Sequence, residues 1–226
     1  MSMTRDTVLF DLDGTLLDTL EDLADATNYA LREMSFPERT LDEVRAFVGN
    51  GVYHQIGHAV PAGTSDEDIA RTIEIYRPYY AAHASVKTAL YDGIPALLDA
   101  LSARGCPMAV ISNKFDAAVK DLQGVYFSRW IPKELCIGEM LPARRKKPAP
   151  DSVFDAMKLL GAEPERCVYV GDSEVDFETA KNAALPFIGC AWGFRGEAAL
   201  RSLGAEYVIC TPAELPKVLT AISENP

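Results

Sequence analysis

Six short apolar runs rich in β-branched residues recur along the chain: TVLFD (7–11), PMAVIS (107–112), ELCIG (134–138), CVYVGD (167–172), PFIGC (186–190) and EYVIC (206–210). From residue 90 onward they alternate with helical patterns such as GIPALLDALSARG, PDSVFDAMKLLGA and SEVDFETAKNAAL. That order is the one expected of a parallel sheet covered by helices, so the fold class predicted is doubly wound α/β.

The alternation fails over one interval. From residue 16 to residue 86 there is no strand pattern, only helix-like segments punctuated at SFPE, GNG and PAGTSDED, with Thr64 or Ser65 placed to start a helix. So many consecutive helices exceed what one face of a sheet needs. The expected organisation is therefore a sheet domain made of 1–15 and 87–226, with a small all-helical domain, 16–86, inserted into it. A chain of 226 residues can build one sizeable core and a modest second unit.

The 33 acidic residues outnumber the 22 basic ones and give a formal net charge of −11, a field that repels nucleic acid and anionic membranes. An anionic small molecule would be repelled too, unless a local cation reverses the sign at its site. The five cysteines (Cys106, Cys136, Cys167, Cys190 and Cys210) are odd in number, widely spaced and mostly within apolar runs, which suits reduced core residues in the cytoplasm. No segment has the apolar length of a membrane span, and the first residues contain no long apolar stretch typical of a signal sequence.

In a parallel α/β sheet, ligands sit beyond the carboxyl ends of the strands. The residues there are Asp11, Ser112 and Asp172. Asp13 follows Asp11 by two positions, so continued extension would aim both carboxylates to one side, and Gly14 and Thr15 then turn the chain. Like charges at that spacing raise one pKa unless a cation lies between or beside them, so the pair implies a shared proton or a metal, although an Asp-Leu-Asp-Gly turn is also a common structural device. A second strand end repeats the pattern, with Asp172 and Asp176 four apart around a helix start and Ser173 suited to cap it. Two strand ends each carrying paired acids make an oxygen-ligand site for Mg²⁺. Ser112 and Asn113 offer a hydroxyl and backbone N–H groups to phosphoryl oxygens, and Lys147, followed by Pro148 and Pro150, supplies a fixed positive charge. Arg144, Arg145 and Lys146 read as a solvated basic turn. His54 and His58 share an i,i+4 spacing without a third ligand and read as a helix surface rather than a zinc site.

The ordered set DLDGT, Ser112, Lys147 in KPAP and GDSEVD resembles the four motifs of the haloacid dehalogenase superfamily of phosphatases, over nearly the whole chain. The resemblance implies a Rossmann-like core with a helical cap. It also implies a mechanism in which Asp11 attacks phosphorus to form an aspartyl-phosphate and Asp13 is the acid and then the base. Mg²⁺ would be held by Asp11, the Asp13 carbonyl and Asp172, while Ser112 and Lys147 bind the transferring oxygens. Asp176 and Ser173 would support them, Asp176 by orienting Lys147 or a metal-bound water rather than by binding metal directly. The expected substrate-binding set is Gly14, Thr15, Asn113, Gly49, Asn50, Gly51 and Arg195. The segment TLDEVRAFVGNGVYHQI resembles the cap of bacterial phosphoglycolate phosphatases, whereas Arg195 in WGFRGE departs from their pattern of an aromatic and a small or amide residue. The implied activity is a Mg²⁺-dependent phosphomonoester hydrolase acting on a small cytoplasmic metabolite, phosphoglycolate first. The alternatives are a β-phosphoglucomutase-like phosphotransferase and a non-catalytic binding protein with this fold.

Overall fold

The computed structural model of the protein describes residues 5–224. The chain forms two compact units, one running to residue 17 and resuming at residue 90, the other spanning residues 18–89. The sequence pattern placed these divisions two and three residues earlier, because the strands that carry the chain across them are too short to show a period. These are β2 (Leu17–Asp18) and β3 (Ala89–Leu90). The expectation of a strand-free stretch from residue 16 thus fails at β2.

The larger unit is built on β1 (Thr7–Phe10), β4 (Met108–Phe115), β5 (Cys136–Glu139), β6 (Cys167–Gly171), β7 (Phe187–Cys190) and β8 (Tyr207–Ile209). They form a parallel sheet in the order β5-β4-β1-β6-β7-β8. β1 is central, with Phe10 in register with Val110 on one side and Val170 on the other. The order reverses at β1, and that switch is where an open α/β sheet leaves a crevice at its carboxyl edge. Helices α5 (Ile94–Ala103), α6 (Asp116–Tyr126), α7 (Asp151–Leu160), α8 (Glu174–Asn182), α9 (Gly196–Ser202) and α10 (Leu215–Glu224) belong to this unit. Leu9, Ile111 and Tyr169 pack on one face with Val153 and Ala156 of α7, Ala180 of α8 and Leu200 of α9. The alternate residues Val8, Phe10, Val110, Val168 and Val170 are buried as well, which is why the strands read as near-continuous apolar runs.

The smaller unit contains α1 (Leu20–Glu33), α2 (Leu41–Phe47), α3 (Val52–Ala59) and α4 (Asp66–His83). Thr40 and Glu43 form a reciprocal capping box on α2, and Ser65, one of the two residues expected to start a helix, accepts from the Asp68 N–H on α4. Asp18, at the start of this unit, accepts from the Leu20 N–H. Leu23, Leu31, Val44, Ile56, Ile73 and Tyr80 fill the interior. One buried charge locks the unit's two ends together. Asp22 on α1 accepts from the backbone N–H groups of Lys87 and Thr88 and from the Thr88 hydroxyl, at 2.8–3.0 Å. A carboxylate can remain buried when it receives this many hydrogen bonds.

Removing that acceptor would strand three donors. Asp22→Ala is expected to lower the unfolding free energy in urea by about 2–4 kcal/mol. Glu21→Ala, which loses only an exposed pair with Lys87, is expected to change it by less than ~1 kcal/mol. Equal effects would show that the burial of Asp22 is not what matters.

Candidate active site

Asp11 is the first residue past β1, and its N–H still pairs with the Val170 carbonyl at 2.8 Å, so the nucleophile candidate is anchored to the sheet by its own backbone. The chain then folds back: the N–H groups of Leu16 and Leu17 both reach the Leu12 carbonyl at 3.0 Å, and the Gly14 N–H reaches Leu17 at 2.8 Å. Gly14 has a φ of +87°, and a Cβ there would collide with the Asp172 carboxylate. Glycine is thus required both by the turn and by the approach of the second strand end. Thr15 lies under the same carboxylate, its hydroxyl 3.5 Å from Asp172 Oδ1.

Asp172 follows β6 and is fully buried. Its Oδ2 accepts the Phe194 N–H at 2.7 Å. Ser173 caps α8, and Asp176 completes a capping box: its Oδ2 accepts the Ser173 hydroxyl at 2.6 Å. Its other oxygen, Oδ1, accepts the Lys147 ammonium at 2.7 Å and the Tyr169 hydroxyl at 3.3 Å. Asp176 thus contacts the lysine directly, the partner that the family resemblance implies for it.

Lys147 is 3% exposed, with its Nζ 2.5 Å from Asp11 Oδ1 and 3.2 Å from the Tyr169 hydroxyl. Its main chain is held by Asn113, which accepts the Lys147 N–H at 2.8 Å and donates to its carbonyl at 3.0 Å. The side chain of Asn113, expected among the substrate-binding groups, is thus directed to the loop that presents the lysine. Ser112 is buried at the same strand, its hydroxyl accepting the Lys114 N–H at 3.1 Å. Of the turn expected to be solvated, Arg145 is exposed and pairs at the surface with Asp151 of α7, while Arg144, partly buried, pairs with Asp155 of the same helix.

Burial pushes the Asp11 carboxyl up to about 7, reinforced by the charges of Asp176 and Asp13 and opposed by Lys147. Burial likewise raises Asp172 well above the carboxylate range, with Asp176 and Asp11 adding to it. Burial works against the Lys147 ammonium, yet the carboxylates of Asp11 and Asp176 outweigh it and hold its pKa well above the ordinary value. Four acids, Asp11, Asp13, Asp172 and Asp176, face two lysines, Lys147 and Lys114, and the site carries a formal excess of two negative charges. Oxygens of Asp11, Asp172 and Asp176 lie within 4.8 Å of one another, and a hard divalent cation matches both that charge and that donor type. Since Asp176 is committed to Lys147, Ser173 and Tyr169, Asp11 and Asp172 are the carboxylates best placed to hold it directly.

Gly49, Asn50 and Gly51 fold in the helical unit, as the link between α2 and α3. The φ values of 116° at Gly49 and 81° at Gly51 are the left-handed conformations that glycine supplies. Arg195 stands before α9 and its guanidinium pairs with Glu174 of α8 at 2.9 Å. Three contributors escaped the sequence reading. Tyr169 lies inside CVYVGD, where a polar side chain interrupts an apolar strand, and Lys114 lies two residues past PMAVIS. The Phe194 N–H left no signal, because a backbone donor has no residue type.

Comparison with known proteins adds the following. The chain matches the haloacid dehalogenase-like hydrolase family over residues 8–190. A phosphoglycolate phosphatase of Aquifex aeolicus is 31% identical over 94% of this chain and 95% of its own length. That of Pseudomonas savastanoi pv. phaseolicola is 35% identical over 83% of this chain and 70% of its own length. Among solved structures, a putative phosphoglycolate phosphatase from Lactobacillus delbrueckii superposes with a TM-score of 0.89 at 32% identity, covering 96% of this chain and 99% of the other. Among the described residues, no helix is long and apolar enough to cross a membrane.

The charge excess predicts a thermal response. Adding MgCl₂ to about 100 times its Kd is expected to raise Tm by roughly 5–10 °C. Asp172→Asn is expected to start from a higher metal-free Tm, because one buried like charge is gone, and to lose most of the response. An undiminished response in that variant would place the cation elsewhere.

Proposed function

The chain belongs to the haloacid dehalogenase-like hydrolase family, and from that premise we propose that this phosphatase is a Mg²⁺-dependent phosphomonoester hydrolase working through a phosphorylated Asp11. The observation that carries the reading is the Lys147 ammonium held between Asp11 and Asp176, which fixes a buried carboxylate at the end of the central strand while leaving the site in need of a divalent cation.

In the first half-reaction an Asp11 carboxylate oxygen forms a bond to phosphorus as the ester P–O bond breaks, and Asp13 gives its proton to the departing alkoxide. In the second, Asp13 takes a proton from water, the water oxygen bonds to phosphorus, and Asp11 leaves with its electron pair. Lys147 fixes one Asp11 oxygen and so orients the carboxyl for in-line attack. Ser112 and Lys147 supply donors to the phosphoryl oxygens, and Gly14 and Thr15 set the turn beside them. Mg²⁺ held by Asp11 and Asp172, with the Asp13 carbonyl, would offset the phosphate charge. This local positive charge answers the repulsion an acidic protein presents to an anionic substrate.

Phosphoglycolate is the proposed substrate, supported by the relatives named for that activity at 31% and 35% identity. Arg195 is proposed as its outer contact. The proposed setting is the cytoplasm, with a small phosphorylated metabolite as the partner.

The test is phosphate release from a panel of phosphorylated metabolites with MgCl₂. Phosphoglycolate is expected to lead, Asp11→Asn to abolish turnover, Asp13→Asn to lower kcat by about 10²–10⁴-fold, and chelation to stop the reaction reversibly. Release by Asp11→Asn equal to wild type would end the nucleophile assignment. A rate indifferent to chelation would end the metal's role.

A further inference from the structure

Each carboxylate of the opening pair has its own lysine, and only one of the two lysines takes part in the function proposed above. Lys114 stands at the carboxyl end of β4, two residues past Ser112, whose hydroxyl accepts its N–H. Its ammonium lies 2.9 Å from Asp13 Oδ1, and the two side chains are only 5% and 13% exposed. An ammonium so far withdrawn from water is tolerable only against a carboxylate. Asp13, in turn, lies past the central strand, where its backbone is bridged to Leu17 and its carboxyl is met by Lys114. Its charge is close enough to be felt at Asp11, and a carboxyl free to swing toward Asp11 would compound that repulsion.

We propose that Lys114 is a positioning residue for the acid–base step. The ion pair pins Oδ1 of Asp13 and confines the carboxyl to one orientation, so that proton exchange with the leaving oxygen, and later with the attacking water, runs through Oδ2. Lys114 keeps its own protons throughout: the proton that reaches the alkoxide comes from Asp13, as the ester bond breaks and the bond from Asp11 to phosphorus forms. The strand therefore delivers three functions in consecutive residues: Ser112 for the phosphoryl group, Asn113 for the loop of Lys147, and Lys114 for Asp13.

This inference rests on the reading of Asp13 as acid and base, and the experiment separates the two. kcat/KM is measured for wild type, Lys114→Met, Lys114→Arg and Asp13→Asn on two substrates. One is p-nitrophenyl phosphate, whose phenolate departs without a proton; the other is the best alkyl phosphate of the panel, whose alkoxide needs one. The ratio of the two values is independent of the fraction of folded enzyme, so a poorly folded variant still reports. Lys114→Met is expected to lose about a hundredfold more on the alkyl than on the aryl ester, and Lys114→Arg to recover most of that difference. An equal loss on both esters, or none on either, would overturn the role of Lys114. If Asp13→Asn also failed to discriminate, the acid–base reading itself would fall, and if Asp13→Asn alone discriminated, only the inference about Lys114 would.

Discussion

The confinement of four carboxylates to one buried pocket is the constraint on which the rest depends. Left alone, such a group would protonate or disperse, and the raised affinity of Asp11 and Asp172 for protons expresses that tendency. Two lysines neutralise half of the charge, each by direct contact with one member of the Asp11–Asp13 pair. What remains is a demand for positive charge that a dication can meet. The site is thus unstable by itself in the sense that makes it selective for its ligands.

The scaffold supplies the rigidity this requires. Asp11, Ser112 and Asp172 are delivered from three adjacent strands of a sheet buried on both faces, and the lysine loop is held to the end of β4 by the double hydrogen bond of Asn113. Close approach of the strand ends leaves no room for side chains: a Cβ on Gly171 would strike Asp176, and one on Gly193 would strike Asp172. Small residues at these points let the acids converge without displacing the backbone.

Much of this was legible from the sequence because its physics is local. Apolar runs ending abruptly in Asp11, Ser112 and Asp172 marked both the strands and the site, and Ser65 and Ser173 announced the helices they cap. β4 runs past Ser112 to Phe115, three residues beyond its expected end, because pairing with Glu139 of β5 resumes after an irregularity that a periodic pattern does not reveal. β2 and β3 are too short to carry a period at all. The partnerships of Lys114 with Asp13 and of Asn113 with the Lys147 main chain join segments far apart in the chain, and only the fold brings them together. The pairing of Arg195 with Glu174 likewise joins segments that only the fold brings together.

The central claim is that Asp11 carries the phosphoryl group between the two half-reactions, and the most direct measurement is to catch it there. The enzyme, mixed with its best substrate and MgCl₂ and quenched in acid within the first turnover, would be digested and mapped by mass spectrometry. The account predicts one phosphoryl group on the peptide containing residues 8–19, located at Asp11 and missing from Asp11→Asn. A phosphoryl group mapped to another residue, or single-turnover hydrolysis complete with no protein-bound phosphate at any time, would contradict it.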